Sequence, residues 1–189
     1  MDQLLHVTVD SLAMFEKLEI IQYPDPRLRQ VSKSVEVFDD RLKQLTQRMF
    51  ELMRQDKGVG LAAPQVGINQ RLFVMNHTGQ PADDRVYVNP ELFEITGNEE
   101  GEEGCLSLPE IHAMINRGQA VRMVAKDVNG NPIEQTETGY VARIWQHEFD
   151  HLNGVLITDR MGDVARMTHR KTLRELEKAY EAKHPRKRK

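Results

Sequence analysis

The sequence predicts an α+β fold: antiparallel β-sheets packed around a central buried helix that carries a His-Glu-x-Asp-His run, with one helix in the N-terminal half and one at the C-terminus. Three observations carry that expectation. Apolar residues recur at helical spacing after Asp39, short β runs between Gly-, Asn- and Pro-rich turns fill Arg71 to Thr138, and an almost wholly apolar helix follows from Tyr140. The 189 residues contain no internal repeat, low-complexity tract or long linker. One domain over 1–189 is therefore expected, with 1–17 as an N-terminal extension and 163–189 as a C-terminal helix and basic tail.

Composition narrows the function classes. A hydrophobic fraction of 39% with 29% charged residues can build a core without disulfide staples, which excludes disordered and collagen-like chains. No apolar run reaches the roughly 18 residues that cross a bilayer, and Asp2, Asp10 and Glu16 stand where a secretory signal needs basic and then apolar residues. No membrane partner and a cytoplasmic location are expected. The net charge of −3 gives no argument for nucleic acid in general and none for specific DNA, since only the end of the chain, Pro185 to Lys189, concentrates positive charge. The single cysteine, Cys105, suits a reducing compartment and is either inert packing or chemistry.

Along the chain, an apolar segment at Leu18 to Gln22 meets Tyr23-Pro24-Asp25-Pro26, whose prolines favour an extended, sharply turned backbone. Leu42, Leu45, Met49, Leu52 and Met53 define the first helix, with Asp39 or Asp40 able to cap its start and Gly58 placed to end it. Strands are expected at Leu72 to Met75, Val86 to Val88, Val121 to Ala125 and Ile133 to Thr136. The last two are joined by a hairpin at Asp127-Val128-Asn129-Gly130-Asn131, because Asn-Gly readily adopts positive φ. Thr138 can cap the second helix, from Tyr140 to about Asn153, and Gly154 terminates it. Val141, Ile144, Trp145, Phe149 and Leu152 make that helix apolar on nearly every side. A third helix is expected from near Asp163 to Pro185, with Val164, Met167, Leu173, Leu176 and Tyr180 as its apolar positions.

Chemistry concentrates in three islands. The second helix contains His147-Glu148-Phe149-Asp150-His151, and two histidines four apart lie one turn from each other on the same face, so both imidazoles can reach one ion. Two histidines leave a catalytic ion short of a third protein ligand. The ten residues after the motif offer no histidine at metzincin spacing, which leaves His169 or, better, Cys105 within Glu103-Gly104-Cys105-Leu106-Ser107. By itself Cys105 reads equally as a buried structural thiol. The third island, Gly58 to Gly67, is rich in small residues that allow close backbone approach, yet it meets neither the P-loop nor the Rossmann pattern. Gln65 is its only strong side-chain hydrogen-bond donor, and alone it reads as a surface residue. Glu103 and Arg117 are of suitable charge to pair and brace the site. The charges of the third helix read as a solvated face with pairs such as Lys171 and Glu175.

Taken together, the islands resemble the peptide deformylase family. Its GxGLAAxQ, EGCLS and QHExDHLxG motifs stand here in that order at Gly58 to Gln65, Glu103 to Ser107 and Gln146 to Gly154, within a similarity running from Tyr23 through Thr158. The resemblance implies a metal-dependent hydrolase that removes the formyl group from the N-terminal formylmethionine of new polypeptides and releases formate. It implies that Cys105, His147 and His151 bind the metal, that Glu148 is the catalytic acid and base, and that Gln65 with the Leu106 backbone N–H stabilises the oxyanion. Ferrous iron is the expected ion, with zinc, nickel or cobalt able to substitute. A short extended peptide is expected to pair with the backbone near Gly60 and Gly104. Val59, Tyr140, Ile144 and the His147 ring would wall a methionine pocket, with Arg143 at its rim. Because the family works on emerging chains, the cluster Lys183 to Lys189 is a candidate contact with ribosomal RNA. Two rivals stay open on the residues alone: another HExxH peptidase or amidase, and a non-catalytic protein whose ion is structural.

Overall fold

A computed structural model describes residues 15–185; the expectations placed on 1–14 and on 186–189 lie outside the described residues. After an irregular segment, Pro26–Arg29 forms a 3₁₀ turn rather than an extended bend. Asp25 explains it, since its Oδ1 accepts from Arg27 N–H at 2.9 Å and caps the turn. The first helix, α1, spans Asp40–Gln55, with Asp39 Oδ1 accepting from the Leu42 N–H at 3.1 Å. Leu42, Leu45, Met49, Leu52 and Met53 are all buried. The left-handed residue that closes α1 is Lys57, at φ 56°, not Gly58, whose N–H reaches back to Met53 O at 2.8 Å.

Strands β1 (Gly60–Ala62), β2 (Leu72–Met75) and β3 (Arg85–Thr96) follow, and then β4 (Glu99–Cys105) and β5 (Leu108–Arg117) form a separate two-stranded sheet. With β6 (Ala120–Lys126) and β7 (Pro132–Thr138), the first three strands build a five-stranded sheet in the order β1-β2-β3-β6-β7, every pairing antiparallel. Strand β3 is far longer than the three residues expected. Its second half is exposed and interrupted by register shifts between Val88 and Glu91 and between Phe93 and Thr96, so no apolar alternation marks it. In the β6–β7 turn, Asp127 Oδ1 accepts from the N–H groups of Asn129 and Asn131, and only Gly130, at φ 87°, is left-handed.

Helix α2 spans Gly139–Leu152. Thr138 holds the position before it, but its hydroxyl makes no capping bond; instead the Gly139 N–H donates to Gln119 O at 2.9 Å, tying the helix start to the turn entering β6. One face of α2 packs on the five-stranded sheet through fully buried Trp145, whose ring meets Tyr87 edge-on at 5.6 Å, with Phe73 and Met123 in the same cluster. At the far end Gly154 takes φ 72°, and a Cβ there would lie 2.5 Å from Arg29 O. Both facts exclude a side chain. Gly154→Ala is expected to cost about 2 kcal/mol or more of stability, combining left-handed strain and backbone displacement; an unchanged denaturation midpoint would contradict this.

The expected third helix is two, α4 (Asp163–Thr168) and α5 (Arg170–Lys183), numbered after a short unexpected helix, α3 (Ile157–Arg160). The chain breaks at His169, whose Nε2 lies 2.7 Å from the His112 carbonyl of β5. Leu173 and Leu176 pack on a core built from β5 and α3, as does Ala165 of α4, whereas Val164 and Met167 are 81% and 76% exposed and point away from it. Among the described residues no helix is long and apolar enough to cross a membrane.

Candidate metal centre

The face of α2 away from Trp145 presents His147 and His151, Glu148 flanks them on the side toward β1, and Cys105 arrives at the end of β4. His151 Nε2 lies 3.3 Å from Cys105 Sγ and 3.3 Å from His147 Nε2. The three ligand atoms fall within 4.8 Å of one another, the only such His, Cys, Asp or Glu group among the described residues. His169 is not part of it. His147 Nδ1 donates to Glu103 Oε2 at 2.9 Å, which fixes the tautomer and leaves the Nε2 lone pair facing that of His151. Two imidazole lone pairs and a thiol converging in a buried space repel unless a cation lies among them, and one sulfur with two nitrogens suits a borderline divalent ion. The residues present therefore fit a metal.

Glu148 is buried at 3% exposure and its Oε2 has no hydrogen-bond partner. Burial pushes its carboxyl up to about 7. Its closeness to β1 explains Gly60, since a Cβ on residue 60 would lie 2.3 Å from Glu148 Oε1. Burial pushes the His151 imidazolium well below its usual range. Burial acts the same way on His147, but the hydrogen bonds its ring donates to Cys105 and Glu103 outweigh it and hold that imidazolium well above.

Gln65 is not a surface residue; it is 2% exposed. A 3₁₀ turn at Ala63–Val66 directs it inward, its Oε1 accepts from the Ala62 N–H at 2.8 Å, and its Nε2 points at Ser107 Oγ (3.2 Å) and Cys105 Sγ (3.6 Å). Two backbone bonds from the segment before the first turn hold this arrangement: Ile21 N–H to Gln65 O at 2.8 Å and Tyr23 N–H to Ser107 O at 2.9 Å.

Glu103 and Arg117 do pair, by a two-pronged contact with both distances 2.9 Å. Burial alone would raise the Glu103 carboxyl, yet the Arg117 guanidinium and His147 hold it far below the usual carboxylate range. Arg143, expected at the pocket rim, is 8% exposed and donates from Nη1 to Glu103 Oε1 (2.9 Å) and Ile115 O (2.8 Å) and from Nη2 to Glu99 O (2.7 Å), so it also ties α2 to the β4–β5 sheet.

The cluster opens on a cavity of about 640 Å³. Val59, Gly60, Gly104, Tyr140, Arg143 and Ile144 all line it, as do Gln65, Leu106, Cys105, His147 and Glu148. Strands β1 and β4 each sit at the edge of their sheet on this cavity. Sequence reasoning did not single out Ser107 or Asp150. Their partners, Gln65 and Arg117, stand 42 and 33 positions away, so no local spacing could reveal them.

The family model described as polypeptide deformylase matches residues 17–167. A peptide deformylase of Thermotoga maritima is 46% identical over 155 residues, covering 82% of this chain and 93% of the relative. Peptide deformylase 1B, chloroplastic/mitochondrial, of Arabidopsis thaliana is 43% identical over 169 residues, covering 88% of this chain. The matched region spans only 62% of that plant relative. Among solved structures, peptide deformylase of Plasmodium falciparum superposes with a TM-score of 0.86 at 40% identity, covering 88% of this chain and 99% of that one. One of Legionella pneumophila gives 0.81 at 41% identity, covering 89% and 99%.

Proposed function

Because this chain belongs to the peptide deformylase family, we propose that it is a metal-dependent hydrolase that removes the formyl group from the N-terminal formylmethionine of newly made polypeptides. The observation that carries the reading is the convergence of Cys105, His147 and His151 beside a buried Glu148, whose Oε2 has no partner among the described residues, on a cavity. Cys105, His147 and His151 would hold one divalent ion. Such an ion supplies Lewis acidity, making water nucleophilic near neutral pH. Ferrous iron is our first choice, with zinc, nickel or cobalt as substitutes; metal analysis of anaerobically isolated protein tests the assignment. The iron form is expected to lose activity in air as its thiolate ligand oxidises, and prolonged exposure without loss would count against iron.

Water adds to the formyl carbon, the C–N bond breaks, and formate and a free amine leave. In this scheme Glu148 takes the water proton at its carboxylate and hands it to the departing nitrogen. Gln65 Nε2 and the Leu106 N–H donate to the formyl oxygen as negative charge grows there. Gln65 is suited to that task because its carbonyl end is anchored on Ala62, so the amide needs no reorientation. Gln65→Leu is expected to lower kcat about 10²-fold or more with a smaller change in KM, and equal turnover would remove the residue from the oxyanion site.

An extended peptide would add to the free edges of β1 and β4 by main-chain bonding near Gly60 and Gly104. Val59, Tyr140, Ile144 and the His147 ring are the proposed walls for methionine. In the same reading α2 is the central element of one domain, and the ligand thiolate favours a reducing compartment such as the cytoplasm. Contact with the ribosome is assigned to Lys183 to Lys189, of which 186–189 lie outside the described residues. Formate release from formyl-Met-Ala-Ser, compared with cleavage of the unformylated peptide, each with and without chelator, tests the function. Cleavage of the unformylated peptide, or chelator-insensitive formate release, would overturn it.

A further inference from the structure

Beyond the bracing pair, the ionic network continues to the surface. Arg160 of α3 donates from Nε to Asp150 Oδ2 at 2.7 Å and from Nη2 to Asp150 Oδ1. Asp150 Oδ2 also accepts from Arg117 Nη1 at 2.5 Å, Arg117 holds both oxygens of Glu103, and Glu103 Oε2 accepts from His147 Nδ1. The side chains of Asp150, Arg117 and Glu103 are 9%, 3% and 5% exposed, whereas that of Arg160 is 45% exposed. One surface cation thus terminates a buried chain of alternating charges that ends on a histidine of the metal centre.

We propose that Arg160 is a positioning residue for His147, acting through Asp150, Arg117 and Glu103; this rests on the metal-binding reading above. An exposed ion pair ordinarily does little. Here the partner is buried, and Arg160 supplies two of the three donors that Asp150 receives. Without them, Asp150 Oδ1 has no donor among the described residues, and leaving an oxygen of a buried ion-paired carboxylate without a donor is costly. Among the described residues, the cation that remains bonded to Asp150 is Arg117. Its fork can satisfy both Asp150 oxygens only by giving up part of its two-pronged hold on Glu103. Glu103 then keeps Arg143 on Oε1 but is held less firmly at Oε2, the oxygen that orients the imidazole, and the ring angle that aims Nε2 at Cys105 and His151 is less well fixed.

The test uses cobalt-loaded protein mixed with excess EDTA, following loss of the thiolate-to-cobalt absorption. Direct hydrogen-bond partners of metal ligands change affinity by about 10- to 100-fold, so at three links further Arg160→Gln is expected to release cobalt about three- to tenfold faster. It should lower kcat by a similar factor and leave KM for formyl-Met-Ala-Ser unchanged. Arg160→Lys, which keeps a cation against Asp150, should recover at least half of the effect. Wild-type release by Arg160→Gln would overturn the proposal, whatever its melting temperature, and so would a lysine variant as fast as the glutamine one. A Cys105→Ala control that develops the same cobalt absorption would instead overturn the metal-centre reading.

Discussion

Glu148→Ala is expected to abolish deformylation while the protein keeps its ion and its fold. Proton transfer by a placed carboxylate typically contributes 10²- to 10⁴-fold, so turnover should fall by about three orders of magnitude or more. The fold should not suffer. Glu148 is 3% exposed with Oε2 unpartnered, and burial has already raised its carboxyl to about 7, so the native state bears a cost that alanine removes. Substrate-independent melting at or above the wild-type temperature, full metal content and loss of formate release form the expected set. Normal turnover would refute the assigned role, and loss of metal together with activity would show the carboxylate to be a ligand.

Cys105→Ala is expected to fail at an earlier step, because it removes one of three ligand atoms. Affinity for cobalt or zinc should fall by more than about 100-fold, exceeding what partners of ligands ordinarily contribute. The same loss should appear in stability. A wild-type chain saturated at 100 times its dissociation constant gains about 2.7 kcal/mol from the ion, so chelator should lower its melting temperature. The alanine variant should melt alike with and without chelator. If the variant retained metal and a chelator-sensitive transition, the ion would be held elsewhere.

What could be read from the sequence was local. The α1 stripe, the β6–β7 turn and the His147 and His151 spacing each lie within a few residues, where helix and turn periodicities act directly. Strand β4 escaped because Glu99-Glu100-Gly101-Glu102-Glu103-Gly104-Cys105 has no apolar alternation; its pairing with β5 supplies what its own residues do not. The C-terminal helix was over-extended because its break depends on a carbonyl of β5, 57 positions earlier. The same limit applied within the site. Gln65 looks solvated until Ser107 and Cys105 are folded against it, and the tie of Arg143 to the β4–β5 sheet shows only once Glu99 and Ile115 offer their carbonyls. Cys105 was the better candidate for the third ligand yet read equally as a buried structural thiol, and the family resemblance decided between the two.

The two amide bonds that Ile21 and Tyr23 make to the carbonyls of Gln65 and Ser107 set a rule for how the chain's leading end can vary. Alternate amides on one side of an extended stretch are the ones that stitch, so deleting Gln22 would put the two bonds out of phase and leave one of those carbonyls unmatched. Length variation is therefore tolerable upstream of that seam and costly inside it, which makes the seam the natural limit for trimming or for attaching a fusion.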